Sequence, residues 1–191
     1  MRRLPAWLLV TLLVLPACAE PPTKELNQAQ GALDAARAAG AEQYAPDEYR
    51  AAAAALKSAN EAVEQRDYRL ALNNALDSRE RAQNAAREAA ITRARVRSEV
   101  ERAMSQIAAM LAQASTRVAA AEKGKGPRRN LHEAQQLLAR VNADVQKTGE
   151  AMKADDYMAA QAALVGIRDR IQQVISMLEP PGASQSSRRK D

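Results

Sequence analysis

The sequence predicts an all-α protein, an elongated antiparallel helical bundle of about five helices with coiled-coil-like seams. Three observations predict it. There is no Phe and aromatics make up only 3% of the chain, whereas β-sheets draw on aromatic and β-branched side chains. Ala contributes 44 residues, and neither Gly nor Pro occurs between Asp47 and Lys123. Apolar residues recur at steps of three and four along most of the chain, the period of a helix face. The same composition bounds the chemistry. With one His and one Cys, the sequence lacks the clustered ligands or nucleophile–base sets that a metal or nucleophilic enzyme is built from. No catalytic residue, cofactor or metal ligand is assigned.

Residues 1–17 read as a targeting segment. Met1-Arg2-Arg3 is a basic start, and Leu4 to Leu15 is an almost wholly apolar run. That run is shorter than the roughly 20 residues of a membrane-spanning helix and fits the apolar region of a signal peptide. It ends Leu15-Pro16-Ala17-Cys18, which resembles the lipobox of bacterial lipoproteins. The resemblance implies cleavage before Cys18 and acylation of Cys18, including palmitate. Several acyl chains give stable membrane anchoring where a single one gives marginal binding. Ala19 follows, not the Asp that retains such proteins at the inner membrane, so the resemblance implies the periplasmic face of the cell outer membrane. Residues 18–22 are the lipidated Cys and a short tether.

The first helix is expected over Thr23 to Ala39, with Leu26, Ala29, Leu33 and Ala36 on one face and Gly40 as its stop. Ala41 to Ala45 reads as a loop. Pro46 or Asp47 opens a second helix, with Asp47 and Glu48 in its first turn, where the dipole favours acids. Its stripe is Tyr49, Ala52, Leu56, Ala59 and Val63. The pattern Asp67-Tyr68-x-x-Ala71 returns as Asp156-Tyr157-x-x-Ala160. The two occurrences suggest the same corner twice, each with an Asp cap and a packed Tyr. A long helix then runs from Asp67 to Lys123, about 85 Å at 1.5 Å per residue, with Val100, Met104, Ile107, Leu111, Ala114, Val118 and Ala121 on its seam.

Gly124-Lys125-Gly126-Pro127 is a break without the Ser/Thr of a phosphate loop. A fourth helix follows to about Lys153, opened by Asn130 and Glu133 in the pattern of a capping box. A fifth runs from Asp155 to about Leu178 on the stripe Tyr157, Ala160, Leu164, Ile167, Ile171, Val174 and Leu178. The expected domains are an Ala-rich unit with the long helix over 23–123, a helical hairpin packing on the end of that helix over 124–179, and a disordered basic tail over 180–191. Ala seams bury little apolar area, so the first unit is expected to be the less stable.

Gly40-Ala41-x-x-Tyr44-Ala45-Pro46-x-x-Tyr49-x-x-Ala52-x-x-x-Leu56, followed by Asp67-Tyr68-x-x-Ala71, resembles the bacterial lipoproteins catalogued as domain of unknown function 4398. The resemblance covers roughly residues 25 to 115. Relatives often place Gly before the Asp-Tyr pair, where this chain has Arg66. The resemblance implies a helical cell-envelope protein and brings no catalytic residues.

Net charge is +5, but much of it lies at the ends, and the body from Ala19 to Ser187 is almost balanced. Neither a basic face nor aromatic platforms are present for nucleic acid, so no nucleic-acid partner is expected. His132 reads as a surface helical residue, and Asp155-Asp156 as helix caps. Tyr44, Tyr49, Tyr68 and Tyr157 read as corner packing. The Arg-rich stretch holds the candidate contacts Arg93, Arg95 and Arg97, with Arg93 on the apolar seam itself. One reading is an anion or partner site. The simpler one, which the sequence favours, is a solvated junction with Arg95–Glu99 and Arg97–Glu101 pairs. Arg188, Arg189 and Lys190 form a basic tail similar to the end by which an abundant outer-membrane lipoprotein is joined to peptidoglycan through a terminal Lys. Here Lys190 is penultimate, so non-covalent contact is the reading kept. The function expected is an outer-membrane-anchored periplasmic lipoprotein acting as a structural or interaction module, with an envelope protein or peptidoglycan as partner. The runner-up is a helical-repeat module binding a peptide, glycan or small ligand, although the 34-residue tetratricopeptide pattern is absent.

Overall fold

The computed structural model describes residues 20–124 and 130–179. Among these residues the chain is all-α and forms a helical bundle. Seven helices follow in order: α1 (Thr23–Ala38), α2 (Ala41–Tyr44), α3 (Pro46–Glu64), α4 (Tyr68–Glu122), α5 (Leu131–Lys153), α6 (Tyr157–Ala163) and α7 (Ile167–Met177). Two compact units are distinguished. One comprises residues through Ala38 with Pro46–Ala86, the other Ala39–Ala45 with residues from Arg87 on. The division falls inside α4, whereas the sequence expectation carries the first unit to residue 123. Cys18, Arg188, Arg189 and Lys190 lie outside the described residues.

In the first unit α1, α3 and the start of α4 pack through small side chains. Ala29 and Ala36 of α1, Ala52 and Ala59 of α3, and Ala71, Ala75, Ala82 and Ala85 of α4 are fully buried. Their methyl groups let helices approach closely. That closeness is visible in the buried Ser78 of α4, whose Oγ donates 2.8 Å to the backbone carbonyl of Ala52 in α3. Leu33, Tyr49 and Leu56 are the larger buried side chains. Ala62 is buried on α3 where the expected stripe has Val63, because the helix face has drifted by one position at its last turn.

The α3–α4 corner forms where the Asp67-Tyr68 repeat places it. Arg66 takes a left-handed conformation at φ 59°, the region that Gly enters without strain. The Arg66 N–H donates to Val63 O at 2.9 Å and the Asp67 N–H to Ala62 O at 2.9 Å, the paired bonds of a Schellman stop. Asp67 then caps α4, its Oδ1 accepting from Leu70 N at 2.9 Å. The α5–α6 corner repeats this bond for bond. Asp155 sits at φ 58°, Asp155 N donates to Met152 O at 3.1 Å and Asp156 N to Ala151 O at 3.0 Å. Asp156 Oδ1 accepts from Ala159 N at 3.0 Å. Left-handed backbone costs a non-Gly residue about 1–2 kcal/mol. Arg66→Gly is therefore expected to stabilise the protein by about 0.5–1 kcal/mol after Gly's own unfolded-state entropy is subtracted, seen as a higher midpoint in urea. A lower midpoint would show that the Arg66 side chain holds the corner.

The second unit has larger side chains. Ile107, Val118, Val141, Ile167, Ile171 and Val174, drawn from α4, α5 and α7, are the centre of its main core. A second cluster gathers Val96 and Val100 of α4 with Tyr157 and Ala160 of α6, flanked by Met104, Met152 and Leu164.

Four expectations need correction. Ala41 to Ala45 is not a loop, since Ala41–Tyr44 is a helical turn with Ala41, Tyr44 and Ala45 buried. Gly40 opens it at φ 82°, and a Cβ there would stand 3.2 Å from the Tyr44 ring. The single fifth helix is two, broken at Leu164–Gly166, with Gly166 at φ 75° and Val165 thrust 77% exposed into solvent. Asn130 stands at the start of α5 but its side chain forms no capping bond, its carbonyl accepting from Ala134 N instead. Asp155 is not a cap. It occupies the left-handed stop before the cap, which leaves its carboxylate available to other groups.

Candidate functional site

The apolar stripe of α4 steps Ala85, Ala89, then Arg93, then Val96 and Val100. Arg93 therefore stands where a buried apolar residue is due. On that seam Arg93 is expected either to be exposed at a gap or to meet an acidic group, and the α5–α6 corner brings an acid to it. Arg93 Nη2 lies 3.5 Å from Asp155 Oδ2, and its guanidinium carbon is 5.8 Å from the centre of the Tyr157 ring. One turn on, Arg97 stands 5.9 Å from the same ring. Guanidinium groups over an aromatic face are attracted by its quadrupole.

Tyr157 is buried by its ring, and its hydroxyl donates 2.7 Å to Asp155 Oδ1. This bond is the main cause that pushes the phenol above its ordinary pKa. Loss of hydration adds to the shift, and the Arg97 and Arg93 charges oppose it. Arg97 donates its Nε to Glu101 Oε1 at 2.8 Å, which holds the guanidinium above its ordinary pKa. The corner thus gathers a phenol, two guanidinium groups and the Asp155 side chain. On its other side Asp156 Oδ1 accepts from Gln43 Nε2 of α2 at 3.0 Å.

Arg93, Arg97, Asp155 and Tyr157 line a cleft of about 550 Å³ whose remaining walls are Ala39, Ala90 and Ala94. Of the sequence-assigned candidates, Arg93 and Arg97 meet here. Arg95 does not line the cleft and pairs with Glu99 at 3.0 Å, as the simpler sequence reading expects of both Arg95 and Arg97. Asp155 and Tyr157 are the site residues that sequence reading assigned other roles. The available signal was the Asp-Tyr corner facing an Arg on the seam.

His132 is exposed on α5, its Nε2 2.9 Å from Gln136 Nε2. A smaller apolar notch of about 240 Å³ lies at the α6–α7 break, between Val100, Ala103, Leu164 and Val165. Among the described residues no group of three or more His, Cys, Asp or Glu side chains is placed to hold a metal ion. Among them, too, no helix is long and apolar enough to cross a membrane.

Fold and cleft together define a helical-bundle protein with a charged, aromatic-backed recess at a helix corner. Residues 24–109 match the family described as domain of unknown function DUF4398, a span that includes the Gly40–Leu56 and Asp67–Ala71 motifs. The match takes in α1 to α3 and most of α4, and ends before α5. No curated protein and no solved structure matches the chain.

Proposed function

We propose that this chain is a lipid-anchored lipoprotein of the bacterial outer membrane, whose helical bundle serves on the periplasmic side as a structural or interaction module without catalysis. The observation that carries the reading is Cys18. It is the sole Cys of the sequence, and it falls just past a 12-residue apolar run, after Leu15-Pro16-Ala17. A chain with no second thiol also suits an oxidising compartment. The first described helix begins at Thr23, so the tether is a few residues long. Cys18→Ser is expected to abolish incorporation of labelled palmitate, to leave the leader uncleaved and to remove the protein from the outer-membrane fraction of a density gradient. Palmitate on the Cys18→Ser protein would overturn the reading.

A second reading, a binding module for a peptide, glycan or small ligand, is favoured by one feature. The doubled corner is a structural repeat, and its second occurrence opens onto the Arg93 cleft while carrying an acid, Asp155, where the first carries Arg66.

A further inference from the structure

We propose that the cleft at the α5–α6 corner is a site for an oxyanion, the phosphate monoester or carboxylate group of a small ligand, held between Arg93 and Arg97. The proposal deepens the binding-module reading and does not depend on the anchor at Cys18.

Arg93 and Arg97 are one turn apart on the same face of α4, and both reach the ring of Tyr157, at 5.8 and 5.9 Å. Like charges at this helical spacing repel. Their concentration at one recess therefore calls for an anion, and the resident ones are only partly engaged. Asp155 meets Arg93 at 3.5 Å with the two side chains 65% and 42% exposed, a solvated contact that contributes little. The shorter bond of Asp155 is to the Tyr157 hydroxyl. Glu101 takes only the Nε of Arg97, so the terminal nitrogens of that guanidinium are not committed to it. Two planar guanidinium forks are the arrangement that recognises carboxylate and phosphate oxygens in pairs.

The recess also has room. Its volume of about 550 Å³ falls within the roughly 300–1,000 Å³ typical of small-ligand sites. Its three Ala walls offer apolar surface to the body of such a ligand, while the Tyr157 ring backs the charged end. A simple surface ion pair would need neither the volume nor the ring.

Asp155 sets the sign of the test. Its carboxylate competes with an incoming anion for Arg93 and repels it. Asn tolerates the left-handed backbone at this position, and its side-chain oxygen can still accept from Tyr157. Asp155→Asn should therefore improve anion binding with the corner intact.

The experiment is a titration of the full chain, in neutral detergent at low salt, with inorganic phosphate and with acetate, followed by NMR at the Tyr157 ring and the Arg93 and Arg97 Nε–H signals. Saturable shifts are expected with at least one of the two anions. Arg93→Gln with Arg97→Gln is expected to weaken binding by about tenfold or more, and Asp155→Asn to tighten it roughly threefold, as removal of paired and like charges does respectively. Shifts that do not saturate, or an Asp155→Asn variant that binds no better, would overturn the proposal and leave a solvated junction. If the double Arg variant loses helicity, the Asp155→Asn result decides alone. Soluble glycerol phosphate compared with micelles doped with phosphatidic acid, whose headgroup is also a monoester, tells a free phosphate from a lipid headgroup. Repeating the titration on Cys18→Ser keeps the two readings apart, since loss of the anchor leaves the affinity unchanged.

Discussion

Replacing Ile171 by Ala is expected to cost about 2–5 kcal/mol, the range for emptying a fully buried aliphatic site. Ile171 is 0% exposed and lies in the core cluster with Ile107, Val141, Ile167 and Val174. The neighbours are β-branched and held in helices, so they have few alternative rotamers with which to fill the space. The measurement is urea unfolding followed by circular dichroism, with hydrogen exchange to place the loss. The midpoint should fall, and protection should fall most in α5 and α7. A change below about 1 kcal/mol would mean that the cluster collapses onto the gap, which this packing does not lead one to expect.

Ala75→Leu should harm the first unit by the opposite route, about 1–3 kcal/mol from overpacking. Ala75 is fully buried on α4, one turn before Ser78. The 2.8 Å bond from Ser78 Oγ to the Ala52 carbonyl requires the α3 and α4 backbones to be close, and an isobutyl group one turn away would force them apart. Gln83→Leu, on the exposed face of the same helix, should change stability by less than about 0.5 kcal/mol. If Ala75→Leu proves equally mild in a thermal melt, the Ala seam is looser than its burial implies.

Much of this architecture is legible in the residues. The absence of Gly and Pro between Asp47 and Lys123 announces a long α4, and the repeated Asp-Tyr pair announces both corners, even with Arg66 at a left-handed position that suits Gly. Arg can serve there because the two Schellman bonds and the Asp67 cap together outweigh the backbone strain. The α6–α7 break is hidden because the turn through Gly166 preserves the three-residue step from Leu164 to Ile167, so the apolar stripe runs on as though nothing had happened. The α2 turn is hidden for want of length, since four residues cannot display a period. The site was half visible. Arg93 on an apolar stripe is a signal in one sequence. Its partner comes into view only when α5 is folded back along α4, which sets Tyr157 beside Val96 and brings Asp155 to a residue some sixty positions earlier. In the sequence Asp155 has the look of a cap, because an acid at a helix start usually is one. The left-handed stop handed that duty to Asp156.

The stop and cap bonds of both corners close within the segments that make them. Those of the α3–α4 corner join residues between Ala62 and Leu70, and those of the α5–α6 corner join residues between Ala151 and Ala159. Little loop-closure entropy stands against forming them, and chains dominated by such local contacts fold on the microsecond-to-millisecond scale. The two corners are thus suited to act as nuclei from which the helical hairpins zip, ahead of the long-range burial that follows. Substitutions at Arg66, Asp67 or Asp156 then act chiefly on how fast the hairpins form, while those at Ile171 act on how long the finished unit survives before it opens.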